Sequence, residues 1–363
     1  MADDLEFTAQ TIDGDINCAT AEVILREIKT KAEVPRTFKR IAARSSKWDI
    51  PRSFVGYRAD PTVQTLGYAP KWVLKSEDGG PDYIVKIPYK GKSAQMLLTE
   101  TLTELLINQL GSAYGFDMAH SGLAKIDGKT AFVTRSFLRP TEHLVHGSFL
   151  IEEHFHASHG ELDTVPKGSE EQKFYSVGFV LETMKAYCGK DAAKAIQKFV
   201  EMVLFDAIIG SNDRHAQNWG VIRESTTQGG YRFSPIFDTS RGLLWNLTDD
   251  KLLPIQQDQK MLRNHIDRAF PLMGPERIGP ELKTAKSRKC DHFDFLRNLF
   301  AVYPNLRVTA VTKVPYNFEK TTASIINSFP FRGAFSKLRR DTILKLLLLR
   351  ADMVSQVLGE EGG

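Results

Sequence analysis

The stretch Ile208-Ile-Gly-Ser-Asn-Asp213-Arg-His215-Ala-Gln-Asn218-Trp-Gly-Val-Ile222, followed by Ser234-Pro-Ile-Phe-Asp238-Thr-Ser240, decides how this chain is read. An apolar helical segment, Asp191 to Ile209, runs into it. Trp219 to Ile222 and Tyr231 to Phe237, separated by a polar turn through Thr226 to Gly230, read as a hairpin. Antiparallel strands return to their starting end, so Asn218 before the first strand and Asp238 after the second are expected side by side. Two hard oxygen ligands facing one point suit Mg²⁺, which takes carboxylate, amide and phosphate oxygens. Asp213 lies five residues before Asn218, close enough to orient a hydroxyl beside a metal-bound phosphate. This is the layout of phosphoryl transfer by positioning and charge neutralisation. The plainer alternative is that Asn-Asp and Phe-Asp-Thr are turn and capping signals.

Upstream, Trp72-Val73-Leu74 and Tyr83-Ile84-Val85-Lys86-Ile87 flank the turn formers Ser76 to Pro81 and predict a hairpin. Thr99 to Leu110 carries Leu102, Leu105, Leu106 and Leu110 at helical spacing, with Gly111 or Gly115 placed to stop it. Ser121 to Ile126 and Thr130 to Phe137, joined by Asp127-Gly128, predict a second hairpin. Strands, one helix and strands again make a small α+β lobe. Beyond about residue 150 the periodicity is helical, over Glu171 to Tyr187, Asp191 to Ile209, Phe293 to Val302 and Ala334 to Leu358. The expected fold is therefore α+β and two-lobed, with a basic segment at 1–52, a small lobe at 53–150 and a helical lobe at 151–363. On alternating geometry Lys86 shares a face with Ile84 and Pro88, and a charge so flanked invites a carboxylate from the helix, Glu100 or Glu104.

Composition excludes several classes. Of the 363 residues 42% are hydrophobic and 25% charged, which rules out disorder and low complexity. A net charge of +4 is too small to demand nucleic acid. The asymmetry lies between Arg26 and Arg52, where nine basic and three acidic residues leave the remainder near −2. That segment reads as a solvated helix packed on the first lobe, the alternative being a docking surface for an acidic partner or RNA. Cys18, Cys188 and Cys290 are odd in number and far apart, as in reduced cytoplasmic thiols. The acidic start is unlike a signal peptide and no apolar run is long enough to insert stably in a bilayer, so a cytoplasmic location is expected.

The pattern D-x-x-x-x-N followed by an Asp after a hairpin resembles the catalytic loop and metal aspartate of protein kinases. The H-R-D motif is absent, and Thr239 and Ser240 replace the phenylalanine and glycine of D-F-G, which points to an atypical branch. Asn212-Asp-Arg-His-Ala-Gln-Asn-Trp219 looks most like the HipA-like serine/threonine kinases of bacterial toxin–antitoxin systems, and is also similar to the D-R-H-x-x-N loop of phosphatidylinositol kinases. The first resemblance covers more of the chain.

It implies a two-lobed protein-kinase-like fold using ATP and Mg²⁺. Tyr-Ile-Val-Lys86 is similar to the strand lysine that holds ATP phosphates, and Glu104 fits the glutamate paired with it. Ser53-Phe-Val-Gly56, 33 residues before Lys86, is similar to the family's S-x-x-G phosphate loop, whose serine is autophosphorylated. Asp213 would orient the acceptor hydroxyl, with Asn218 and Asp238 on the metal. His215 is either near the transferred phosphate, as in lipid kinases of similar motif, or bonded to the loop backbone. The resemblance further implies a toxin, held by an antitoxin, that phosphorylates Ser or Thr of a translation component. Its rivals are a phosphoinositide kinase effector and a catalytically inactive kinase-like binding module.

Three weaker signals are set aside. His143, His146, His154, His156 and His159 lack cysteine partners and a zinc spacing, and read as a polar segment between the lobes. Asp13-Gly-Asp15-Ile-Asn17 lacks the glycine and the glutamate of a calcium loop. Gly79-Gly80 is a strand turn.

Overall fold

A computed structural model describes residues 9–11, 54, 56–60, 71–86, 94–126, 129–159, 175–225, 230–275, 290–311 and 317–360. The first lobe holds β1 (Ala9–Thr11), β2 (Tyr57–Ala59), β3 (Lys71–Ser76), β4 (Tyr83–Lys86), α1 (Ala94–Ala113), β5 (Ser121–Ile126) and β6 (Lys129–Arg135). The chain continues through β7 (Glu142–His146), α2 (Gly147–His159), α3 (Val177–Cys188), α4 (Ala192–Ile209), β8 (Gly220–Glu224) and β9 (Tyr231–Phe233). It ends in α5 (Asp249–Gln257), α6 (Gln259–Asp267), α7 (His292–Val302), α8 (Pro304–Val311), α9 (Phe318–Ile326), α10 (Phe331–Ala334) and α11 (Lys337–Gly359). The fold is α+β with two lobes, as expected. Residue 150, the expected boundary, falls inside α2, and β7 just before it pairs with β8. Apart from β1, Phe54 and the residues from Gly56 on, the segment before residue 60 lies outside the described residues.

The first sheet is antiparallel throughout, in the order β1-β5-β6-β4-β3-β2. Period-two alternation gives it two faces. Tyr83, Val85, Ala131 and Val133 point into a small core with Phe54 and Leu74. Ile84, Lys86, Phe132 and Thr134 point the other way, into a cavity between the lobes. Phe54, Tyr57 and Tyr83 meet edge to face with centroids 5.2 to 5.6 Å apart, a preferred aromatic geometry.

Helix α1 is buried on nearly every side, including Leu102, Leu105, Leu106 and Leu110. Of its two candidate stops, Gly115, with φ +83°, makes the turn. Gly111 stays inside the helix, where a side chain would strike Met118 and Phe205.

Helix α4 organises the second lobe. Phe199, Val200 and every residue from Met202 to Ile209 are buried, the mark of a helix enclosed on all sides. Gly210, at φ +67°, caps it in the left-handed region and donates its N–H to Asp206 O. The segment carrying Asp213 and Asn218 thus leaves the lobe's most deeply buried helix. A three-stranded sheet, β7-β8-β9, receives it. Strand β9 stops at Phe233 rather than Phe237, because Pro235 has no N–H for the ladder. Ile236 bridges instead to Met118 after α1. The single helix expected over Ala334 to Leu358 is two: Phe335 is extended, and Ser336 Oγ accepts the Arg339 N–H at 3.0 Å to cap α11.

Candidate active site

Of the sequence-predicted residues, Lys86, Glu104, His215, Asn218 and Asp238 line the cleft between the lobes. Lys86 Nζ lies 2.9 Å from Glu104 Oε2, 2.9 Å from Asp238 Oδ1 and 3.1 Å from Ser240 Oγ. Of the two glutamates left open by the strand's geometry, Glu104 is the partner. Register pairs Lys71 with Lys86 across the hairpin, and Lys71 Nζ reaches the other carboxylate oxygen of Asp238 at 2.8 Å. Burial opposes charge on Lys86, Glu104 and Asp238. Glu104 and Asp238 outweigh it at Lys86 and hold that ammonium above its ordinary value. Lys86 and Lys71 likewise hold the Asp238 carboxyl well below the usual carboxylate range. Burial pushes Glu104 upward, with Lys86 pulling against it.

Asp238 sits at φ +51°. An L-residue tolerates this region only at some cost, aspartate more readily than most. The conformation is sustained by its ion pairs and by the residue before it, whose carbonyl is held by Arg214.

Arg214 is the buried hub of the loop, 3% exposed. Its Nε and Nη2 fork onto Asp206 at 2.8 and 2.9 Å, while Nη1 donates to Asn218 O at 2.7 Å and Phe237 O at 2.9 Å. One guanidinium therefore ties the end of α4 to both strand-flanking positions and sets Asn218 beside Asp238. Burial disfavours its charge, but Asp206 more than compensates and raises it. Tyr175 OH donates to Arg214 O and accepts from Trp219 Nε1, each at 2.8 Å. Trp219 is fully buried and stacks on Phe233.

Asn218 Nδ2 donates to Asp213 O at 2.8 Å, which turns the amide oxygen away from that carbonyl. Asp213 faces Arg241, whose Nη1 donates to Oδ1 at 3.3 Å. Burial pushes the Asp213 carboxyl up, and Arg241 and His215 draw it back. His215 Nδ1 accepts the Gln217 N–H at 3.3 Å, and burial holds the ring below its ordinary value. The ring is thus bonded to the loop backbone and also lines the cleft.

The cleft measures about 500 Å³ and is lined by Lys71, Lys86, Glu104, His215, Asn218 and Asp238 together with apolar side chains such as Val73, Ile84, Phe132 and Phe237. Gly56 does not line it. It forms the turn into β2 at φ +81°, and its neighbour Phe54 packs on Tyr83, on the face of β4 opposite Lys86. Ser53, like the Asp127-Gly128 turn and most of the basic segment, lies outside the described residues.

Lys71, Arg214, Arg241 and Ser240 were not foreseen as part of this site. Lys71 had a readable signal, since a short hairpin places it opposite Lys86; Arg214 sits inside the decisive motif. The histidine-rich stretch, expected as a polar segment between the lobes, forms β7 and α2. Within it, His146 lines the cleft and bonds Gln217 O through Nδ1 at 2.9 Å.

Comparisons with known proteins bear on this geometry. Residues 63–288, well over half of the chain, match the family model described as the HipA-like C-terminal domain. The serine/threonine-protein kinase CtkA of Helicobacter pylori strain J99 is 28% identical over 149 residues, 38% of this chain and 39% of that protein. The match thus spans about two fifths of the curated relative. The crystal structure of the Helicobacter pylori proinflammatory kinase CtkA superposes with a TM-score of 0.63 at 18% identity, over 83% of this chain and 93% of that one. A Shewanella oneidensis structure of HipA with HipB and operator DNA gives a TM-score of 0.49 at 14% identity, over 98% of this chain and 75% of that one. No helix among the described residues is long and apolar enough to cross a membrane.

Proposed function

The chain belongs to the HipA-like C-terminal domain family, and from that premise we propose that it is an ATP- and Mg²⁺-dependent protein serine/threonine kinase. The observation that carries the proposal is the shared cleft: a lysine paired to a helix glutamate and to Asp238, with Asn218 and Asp213 on the facing loop. Lys86 holds the nucleotide phosphates, and Glu104 keeps its ammonium charged and aimed. Lys71 adds a second positive charge at the same place. The apolar lining suits a planar base.

The donor set fits Mg²⁺. Asp238 stays ionised, Asn218 presents an amide oxygen, and a magnesium site completed by phosphates and water needs only one or two such ligands. When bound, the ion neutralises charge building on the phosphates. Asp213 receives the hydrogen bond of the acceptor hydroxyl and orients it, Arg241 keeping the carboxylate in place. His215 stays neutral and braces the loop. Arg214 fixes the spacing of the two metal-side residues without touching substrate.

The family premise extends the proposal to a toxin restrained by an antitoxin and directed at a translation component, with Ser53 as an autophosphorylation site. Intact mass after incubation with ATP and Mg²⁺, followed by peptide mapping, tests the core of it. Wild type should gain one phosphate on a serine or threonine and Asp238→Ala none. No gain in wild type, on itself or on any protein of a cell extract, overturns the protein-kinase reading, and transfer to phosphoinositide vesicles would replace it with a lipid kinase. The toxin reading is tested by overexpression: growth arrest that persists in both Asp213→Ala and Asp238→Ala removes it.

A further inference from the structure

Behind the loop that carries Asp213 lies a second cavity, of about 170 Å³. At roughly 30 Å³ per water it holds several waters. Arg241, Arg268, Arg350, His265, Asn212 and Asn246 supply its polar lining, and no carboxylate lines it among the described residues. Arg350 is 1% exposed. Its Nε donates to Ala207 O at 2.7 Å and its Nη1 to Ile266 O at 3.4 Å, while Nη2 is buried and has no hydrogen-bond partner among the described residues. Nη2 has almost no accessible surface and the guanidinium lies 5.1 Å from the Phe293 ring, so Arg350 lends the cavity its charge rather than that nitrogen as a donor. Gly210 makes room for this side chain, since a Cβ there would press on the guanidinium. Burial pushes Arg350 down to about 9, only partly offset by Asp291 and Asp267, so it remains charged at neutral pH without a carboxylate in contact.

Arg268 is exposed and Arg241 partly so, which opens the cavity to solvent. Arg241 also reaches the first site, its Nε 3.3 Å from Asp213 Oδ2 and its guanidinium 5.6 Å from the Trp245 ring. A planar fork of this kind recognises tetrahedral oxyanions bidentately.

We propose that this cavity binds a phosphate group, and that its occupant competes with Asp213 for Arg241. Phosphate oxygens accept from Arg268, Arg241 is drawn from Asp213 toward them, and the buried Arg350 adds positive charge in the wall. Coupling is reciprocal: whatever weakens the Asp213–Arg241 pair strengthens phosphate binding by the same factor. The binding stands apart from the kinase assignment; only its effect on turnover rests on the role given to Asp213.

Isothermal titration of the full chain with sodium phosphate, at constant ionic strength and without nucleotide or metal, tests it. Saturable binding is expected, weakened at least tenfold by Arg268→Glu, retained by Arg268→Lys, and tightened about fivefold or more by Asp213→Asn. Arg350→Met, which removes the charge in the wall, should weaken binding; if that variant unfolds, the exposed Arg268 pair decides. Titration with O-phosphoserine separates the sources, a tighter affinity identifying a phosphorylated side chain and a weaker one free phosphate. Absence of saturable binding, or equal affinity in wild type and Arg268→Glu, overturns the proposal. Neither result depends on ATP, so the kinase reading fails or survives separately.

Discussion

Lys71 and Lys86 stand opposite each other across the β3–β4 hairpin and share one carboxylate, each holding a different oxygen of Asp238 at 2.8 and 2.9 Å. Like charges directly opposite on a sheet repel. Asp238, delivered from the other lobe, converts that repulsion into a clamp. Lys71→Met should leave Asp238 with one strong cation and lower phosphate transfer about tenfold, about 1.4 kcal/mol of barrier. Single-turnover assays with radiolabelled ATP check this, and an unchanged rate would show Lys71 to be dispensable.

The Lys86–Glu104 pair is buried, its side chains 13% and 4% exposed. Removing one partner of such a pair costs about 3 to 5 kcal/mol, less here because Lys86 keeps Asp238. Glu104→Ala should therefore lower stability by about 2 to 3 kcal/mol, read from urea midpoints at constant m. Midpoints equal to wild type would mean the pair contributes no net stability.

Arg214 is not replaceable by another cation. Arg214→Lys keeps the charge but loses the fork onto Asp206 and at least one of the carbonyls of Asn218 and Phe237. We expect a loss of about 2 to 3 kcal/mol and a larger fall in kcat than in nucleotide affinity. A variant with wild-type kcat would remove the positioning role.

Acidification has a definite sign. Asp238 titrates below its unfolded value of about 3.9 because Lys86 and Lys71 outweigh the burial penalty. Its contribution to stability is therefore present above that pH and is lost as pH falls toward the folded value. Stability of wild type should drop more steeply than that of Asp238→Asn between about pH 5 and pH 2. Parallel curves would place the acid lability elsewhere.

Asp213 lies above its ordinary range, chiefly through burial. Activity should accordingly fail on the acid side at a pH above the unfolded aspartate value of about 3.9, before the fold is lost. A kcat profile read beside circular dichroism distinguishes the two events, and simultaneous loss would count against a catalytic origin.

Much of this protein is legible in its sequence. The periodicities of Ser121 to Ile126, Asp191 to Ile209 and Phe293 to Val302 match β5, α4 and α7 to within a residue or so, because a buried face imposes its spacing on neighbouring residues. Boundaries failed where one backbone group decides. Pro235 ends β9 early, and Ser336 restarts a helix that apolar spacing alone would run through.

The sequence by itself determined which residues to look for: Lys86, Glu104, Asp213, Asn218 and Asp238 were named from residue type, spacing and family resemblance, and four of them line one cleft, with Asp213 beside it. Only the tertiary structure decided what holds them there. Lys71 meets Asp238 across 167 positions and Arg350 reaches Ala207 across 143, contacts set by strand register and helix packing. Charge on a lone lysine or arginine reads the same whether it is solvated or buried. Its role appears when the fold removes water and leaves particular oxygens within reach.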